Sequence, residues 1–203
     1  MKKLQLNYDQ ILQGDYEVKK LNLLLVFQVN CPGCFSYALP FFNKLYDEFS
    51  SKGVSFLGLA TAFEDFDKNT TENLNALLKE GTLIGETKKF MNGQGIDKLP
   101  YLLKFPVAMD SFKENTDNLD DEAEKICNIQ PNYSLWPDFE KKELQERVKV
   151  YLNSLEKIAL TFTLNQLKGT PSIILFNDSY EILKEWFGHV PYELVSEKVT
   201  QFN

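Results

Sequence analysis

Apolar residues follow two different rhythms along this chain. Leu21 to Val29 is apolar except at Asn22 and Gln28, and so dense a run predicts a central strand buried on both faces. After Cys34 the period changes. Phe35, Leu39, Phe42, Leu45, Tyr46 and Phe49 recur every three or four positions, which predicts a helix that begins at the cysteines and reaches about Ser51, where Lys52-Gly53 ends it. Val54 to Ala60 predicts a second strand. Strand, helix and strand in that order close as a right-handed unit with parallel strands. The cysteines then stand at the C-terminal end of the first strand, where open α/β sheets hold their sites.

Farther on, Thr70-Thr71-Glu72-Asn73 is a capping sequence for a helix through Leu74, Leu77 and Leu78, stopped at Glu80-Gly81. The stretch 81–95 is glycine-rich and weakly patterned, Phe105 to Asp110 predicts a short strand, and 111–131 is acidic and reads as loop. Pro137-Asp138-Phe139 opens a long helical pattern, with Leu144, Val148, Tyr151, Leu152, Leu155 and Ile158 in period as far as Leu160 or beyond. It reads as an amphipathic packing helix, with a partner surface as the alternative. Ser172 to Phe176 and Glu181 to Phe187, joined by Asn177-Asp178-Ser179, predict an antiparallel hairpin. A closing helix is expected from Pro191 to about Phe202.

Composition narrows the class. Of 203 residues 43% are hydrophobic and 25% charged, the balance of a soluble globular protein. Twenty-nine acidic against 22 basic side chains leave a net charge of −7, which repels nucleic acid and anionic lipid. The start of the chain is basic and then polar, so no secretory leader develops, and the run at Leu21 is too short to span a bilayer. A cytoplasmic protein with no nucleic-acid or membrane partner is expected.

Three cysteines are too few for a disulfide scaffold. Two of them frame Cys31-Pro32-Gly33-Cys34. Two residues between cysteines in a first helical turn bring the sulfurs within disulfide reach, and the free N–H groups and dipole of the helix start stabilise a thiolate on Cys31. Cys31 is then the exposed nucleophile and Cys34 the resolving thiol. Pro32 suits a position whose N–H is not needed, and Gly33 removes bulk where a substrate approaches. A zinc site needs about four ligands, and beyond this pair the chain offers only Cys127 and His189, so no metal is expected. Dithiol exchange needs no cofactor, and no glycine-rich phosphate cradle is present. Cys127 reads as a packing residue and His189 as a turn residue.

Strand, CxxC and helix early, with Gly169-Thr170-Pro171-Ser172 before a strand late, resemble the thioredoxin superfamily. Phe105-Pro106-Val107-Ala108-Met109-Asp110 and Lys168 to Asp178 look more narrowly like its TlpA-like branch, related to the peroxiredoxins. The likeness covers 20–62, 104–110 and 168–202. It implies a thioredoxin-like α/β fold, with a central mixed sheet flanked by helices, over 1–203 as a single domain. A large, partly helical insertion at about 111–165 precedes the last hairpin. The resemblance also implies a cis Thr170–Pro171 bond facing the cysteines, with Thr170 and Pro171 framing the substrate.

Three departures qualify the likeness. The buried acid of thioredoxins, six residues before the first cysteine, is Leu25 here, and the glutamate often found three residues after the second is Tyr37. Cys34 thus lacks its usual proton acceptor, for which water or a more distant carboxylate such as Glu64 or Asp65 would have to substitute. The aromatic residue that usually precedes the first cysteine is Asn30, and the insertion replaces a short helix. The expected function is thiol–disulfide exchange, reducing protein or small-molecule disulfides at the expense of a thiol donor. Two alternatives stand beside it. One is a binding or chaperone-like module without turnover. The other is a peroxiredoxin-like peroxidase, for which Gln28 occupies the place of the activating threonine and Arg147, the one arginine, lies in the insertion.

Overall fold

The computed structural model describes residues 2–203. In chain order the elements are β1 (Tyr8–Gln13), β2 (Leu21–Phe27), a π-helical turn (Cys34–Ala38), α1 (Leu39–Phe49), β3 (Ser55–Ala60), α2 (Thr71–Glu80), α3 (Gly85–Asn92), β4 (Val107–Asp110), β5 (Phe112–Glu114) and α4 (Asp120–Cys127). The chain continues through α5 (Asp138–Ser154), β6 (Lys157–Ala159), α6 (Leu160–Leu164), β7 (Ser172–Asn177), β8 (Ile182–Phe187) and α7 (Tyr192–Phe202). Six strands form one mixed sheet in the order β1-β4-β3-β2-β7-β8, and β5 and β6 form a separate ribbon. As expected from the strand–helix–strand pattern, β2 and β3 are parallel, from Asn22 opposite Ser55 to Phe27 opposite Ala60. The final hairpin, β7 with β8, is antiparallel.

The dense apolar run has a simple cause. Alternate residues of a strand point to opposite faces, and here both faces are covered. Leu21, Leu23, Leu25 and Phe27 join α1, α2 and α7 through Leu39, Phe42, Leu45, Leu74, Val195 and Val199. Leu24 and Val26 join Leu57, Leu59, Ile174 and Phe176 on the other side, beneath Leu4 and Phe162. Asn22 shares that buried strand because its amide is fully used, donating to the Lys19 and Phe176 carbonyls and accepting from Lys19 N. Phe42 meets Phe56 and Phe105 edge-on at 5.3 and 4.7 Å, contacts worth about 1 kcal/mol each beyond area burial. Gly58 makes room for them, since a Cβ there would stand 2.6 Å from the Phe105 ring.

Several boundaries differ from the sequence expectation. β1 is an additional edge strand, irregular in register against β4. The stretch 81–95 contains α3, and the acidic stretch 111–131 contains β5 and α4. The long helix ends at Ser154 because Leu155 turns extended (φ −77°, ψ 146°), so Ile158 and Leu160 belong to β6 and α6. The segment from β5 to α6 builds its own core from Leu119, Ala123, Ile126, Cys127, Tyr133, Val148, Leu152, Ile158 and Leu164. α5 contributes Val148 and Leu152 to it and leaves Phe139 and Val150 exposed.

This segment is fastened to the sheet at one buried carboxylate. Asp110, at the end of β4, accepts from Thr61 Oγ1 at 2.8 Å and from the first backbone N–H groups of α6, Thr161 N at 2.8 Å and Phe162 N at 3.1 Å. The Phe162 ring then stacks on Phe63 at 4.2 Å.

Candidate active site

The chain leaves β2 through Gln28, Val29 and Asn30 and enters a helical turn at Pro32. Cys31 is half-buried and Cys34 fully buried, with the Cys34 Sγ donating to the Cys31 Sγ at 2.7 Å. Cys34 N also donates to the Cys31 sulfur, at 3.3 Å. The Cys31 thiol is brought down to about 6, chiefly by the Cys34 hydrogen bond and then by Thr170 and the backbone N–H groups of Cys34 and Gly33, against the opposing effect of burial. Burial pushes the Cys34 thiol well up, and the neighbouring Cys31 adds to it. One sulfur is thus ionised at neutral pH and its partner protonated. Gly33 has ordinary helical angles and a Cβ there would meet nothing within 4 Å, so its absent side chain leaves open space and relieves no strain.

The π-helical turn after Cys34 follows from one residue. Pro40 has no N–H to give. Leu39 N donates to the Cys34 carbonyl, five residues back, and the next carbonyl, that of Phe35, would have to pair with Pro40. Tyr101 supplies the missing donor instead, its hydroxyl reaching Phe35 O at 2.6 Å. A side chain outside both motifs therefore holds the turn that carries Cys34. Burial and the nearby Cys34 raise the Tyr101 hydroxyl beyond its ordinary range, so it stays a donor.

Thr170 and Pro171 stand against the pair, and the bond between them is cis. The Cys31 sulfur lies 3.8 Å from the Thr170 carbonyl, to which it can donate only when protonated, and the Thr170 hydroxyl donates to Gln28 Oε1 at 3.1 Å. All six residues expected at the site, Cys31, Pro32, Gly33, Cys34, Thr170 and Pro171, therefore fall in one place. Glu64 and Asp65 do not serve Cys34. Glu64 offers its backbone carbonyl to Gln28 Nε2 and Asn69 Nδ2, while the Asp65 carboxylate is taken up by Asn30 Nδ2 at 2.7 Å. The groups that do reach the Cys34 sulfur are Cys31, the Gln28 backbone N–H and the Thr170 hydroxyl.

Asn30, in the place of the usual aromatic residue, is a buried connector. Its backbone N–H donates to Asn69 Oδ1 at 2.9 Å, and its Oδ1 accepts from Glu86 N at 2.7 Å, at the start of α3. Gly85 must be glycine for this contact: its φ is +49°, and a Cβ would collide with the Asn30 amide. Tyr37, in the place of the usual glutamate, stacks on His189 at 3.8 Å and hydrogen-bonds Val190. His189 thus lies in the turn after β8, as expected, and that turn is pinned to the active-site helix. Gly188 N donates to the Pro171 carbonyl at 2.9 Å, closing the ring of contacts.

Cys127 is buried in the separate core beside Tyr133, and Arg147 is exposed on α5. Among the described residues no group of three or more His, Cys, Asp or Glu side chains is placed to hold a metal ion, and no helix is long and apolar enough to cross a membrane.

Among the solved structures that follow nearly the whole chain, two share about a fifth of its residues. One is a thiol-disulfide isomerase from Corynebacterium glutamicum, 21% identical with a TM-score of 0.59, covering 99% of this chain and 95% of that one. The other is a thioredoxin-like superfamily protein, 20% identical with a TM-score of 0.57, covering 98% and 95%. No protein-family model and no curated protein matches the sequence. The chain has the thioredoxin-like fold, a mixed sheet between helices with the CxxC turn at its C-terminal edge.

Proposed function

We propose that the chain is a thiol–disulfide oxidoreductase working as a disulfide reductase, with Cys31 attacking and Cys34 resolving. The asymmetry of the pair carries this reading: a half-exposed sulfur ionised near neutrality, 2.7 Å from a fully buried protonated one, beside Thr170 and Pro171. In the first step the Cys31 thiolate attacks one sulfur of a substrate disulfide, and the other sulfur leaves as a thiolate that takes up a proton. In the second, Cys34 loses its proton and attacks the Cys31 sulfur, expelling the remaining substrate sulfur, which is protonated in turn. The substrate gains two electrons and two protons. The pair ends as a disulfide that a thiol donor must reduce.

The reductase direction is supported by acidity. A Cys31 value of about 6 stands nearer that of thioredoxin, about 7, than that of DsbA, about 3.5, and the less a thiolate is stabilised, the stronger the reductant. We assign the protein to the cytoplasm, where the thiol pool favours the dithiol, and to the TlpA-like branch on the strength of the 105–110 and 168–178 segments. Its substrates are protein or small-molecule disulfides, in keeping with the name of the isomerase that it resembles.

The test is capture. Cys34→Ser should accumulate a mixed disulfide on Cys31 when offered a disulfide substrate, and Cys31→Ser should accumulate none. Capture by Cys31→Ser alone would reverse the two roles, and capture by neither, together with a wild-type pair that never cycles, would leave a binding module.

A further inference from the structure

Thr170 carries one hydroxyl proton, and three acceptors lie within its reach. Two are the sulfurs of Cys31 and Cys34, whose acidity it increases. The third is Gln28 Oε1, at 3.1 Å. Gln28 is 2% exposed and interrupts an otherwise apolar run. Burying an amide is costly unless its polar atoms are paired, and here both ends are. Nε2 donates to the Glu64 carbonyl at 3.3 Å. That contact fixes which end of the amide faces Thr170, leaving Oε1 to accept.

We propose that Gln28 is a positioning residue that sets the redox equilibrium of the cysteine pair by holding the Thr170 hydroxyl proton whenever the sulfurs carry no charge. The inference rests on the oxidoreductase reading above. With Cys31 as a thiolate, the hydroxyl turns to the sulfur, because a bond to an ionised acceptor is the stronger one. In the mixed disulfide and the closed disulfide the sulfurs are neutral, weak acceptors, and the proton returns to Oε1. Gln28 therefore satisfies a buried hydroxyl mainly in the oxidised forms and makes the pair a stronger reductant than it would be with an apolar residue at this position. The overall exchange is unchanged. The dithiol gives two electrons and two protons to glutathione disulfide, its S–S bond breaks into two thiols, and the Cys31–Cys34 bond forms.

The experiment is an equilibrium titration of the full chain against reduced and oxidised glutathione, for wild type, Gln28→Met, Thr170→Val and the double variant. A pH titration of the Cys31 thiolate by its ultraviolet absorbance accompanies each. Gln28→Met strands the hydroxyl in every form whose sulfurs carry no charge, so at a pH where Cys31 is the thiolate the equilibrium should move about tenfold toward the dithiol, the worth of one hydrogen bond and ~30 mV in potential. The Cys31 titration should move to lower pH. In the Thr170→Val background the same substitution should change neither reading. A shift below about twofold, a shift toward the disulfide, or one that persists without the Thr170 hydroxyl overturns the proposal.

If Gln28→Met does not fold, Gln28→Asn, one methylene shorter, keeps an amide but loses its reach to Thr170 and should give the same displacement. Gln28→Glu retains an acceptor and must not move toward the dithiol; if it does, the proposal fails. A wild-type chain that never forms the Cys31–Cys34 disulfide removes the oxidoreductase reading and this one with it. A wild-type pair that cycles while Gln28→Met matches it removes only the role of Gln28.

Discussion

Cys34 and Cys127 are both completely buried, one beneath the end of the main sheet and the other in the core of the segment between β4 and β7. Burial raises the thiol of each. Their neighbours separate them. Cys34 has a second sulfur at 2.7 Å, a backbone N–H and a threonine hydroxyl, whereas Cys127 lies among Leu119, Ala123, Ile126 and Leu152 with the Tyr133 hydroxyl as its polar neighbour. A buried thiol is inert in apolar surroundings, and what makes Cys34 reactive is a partner sulfur that is partly open to substrate. The two regions thus differ in polar wiring more than in burial.

The largest expected effect tests that contrast directly. Cys31→Ser should lower disulfide reduction by about 10³-fold or more, as removal of a nucleophile does, while Cys127→Ala should leave the rate within about twofold and cost ~1–2 kcal/mol of stability for the cavity. Alkylation of wild type should follow the Cys31 thiolate, rising through a midpoint near pH 6, and that phase should vanish in Cys31→Ser. A comparable loss of rate in Cys127→Ala would break the comparison, since the third thiol would then take part in turnover.

Next in size is the core of the β5–α6 segment. Leu152 is fully buried there, and Leu152→Ala should cost about 2–5 kcal/mol. Amide exchange should quicken in α4 and α5, and the Cys31 titration should stay where it is. A displaced Cys31 midpoint would mean that the segment is coupled to the redox turn.

The same contrast explains what the sequence discloses. α2 is readable because its signals are local: the Thr70 hydroxyl accepts from Asn73 N at 3.2 Å, and Gly81 ends the helix at φ +69°. The site motif is readable because Cys31, Pro32, Gly33 and Cys34 are contiguous. α3 escapes because its first turn is capped by Asn30, 56 residues away in the chain, and no local pattern records a cap of that kind. α4 did leave a signal, in Asp120-Asp121-Glu122, acids that favour a helix start, but a single short apolar face of Ala123, Ile126 and Cys127 hides it. The overlong helix arises because Ile158 and Leu160 keep the helical period while Leu155 turns the backbone into β6. Gln28 and Tyr101 are invisible for a further reason. The side chain of each serves the site through a contact made by tertiary packing, with Thr170 or Phe35, and in the sequence Gln28 shows only as an interruption in an apolar run at the place of a peroxidase threonine.

The smallest expected effect concerns the seam between the two regions. Burial raises the Asp110 carboxyl from 3.8 to about 6, against hydrogen bonds from Thr161, Thr61 and Phe162 that favour its charge. A carboxyl more basic in the folded chain than in the unfolded one binds its proton more tightly when folded. Its contribution to stability is full below about pH 4 and is lost as the pH rises through about 6, a difference of about 3 kcal/mol or less. Other carboxylates titrate in the same window, so the quantity to measure is the difference in urea unfolding free energy between wild type and Asp110→Asn from pH 4 to 7.5. Asp110→Asn turns an amide N–H₂ toward donors and should be the less stable at every pH, but its deficit should shrink as the pH rises and wild type loses the protonated form. A deficit that instead grows with pH would show that the carboxylate is the favoured state, held by Thr161 N, Phe162 N and Thr61. The segment would then be fastened to the sheet by a charge at the start of α6, and the two regions would share the electrostatic wiring that otherwise distinguishes only the redox turn.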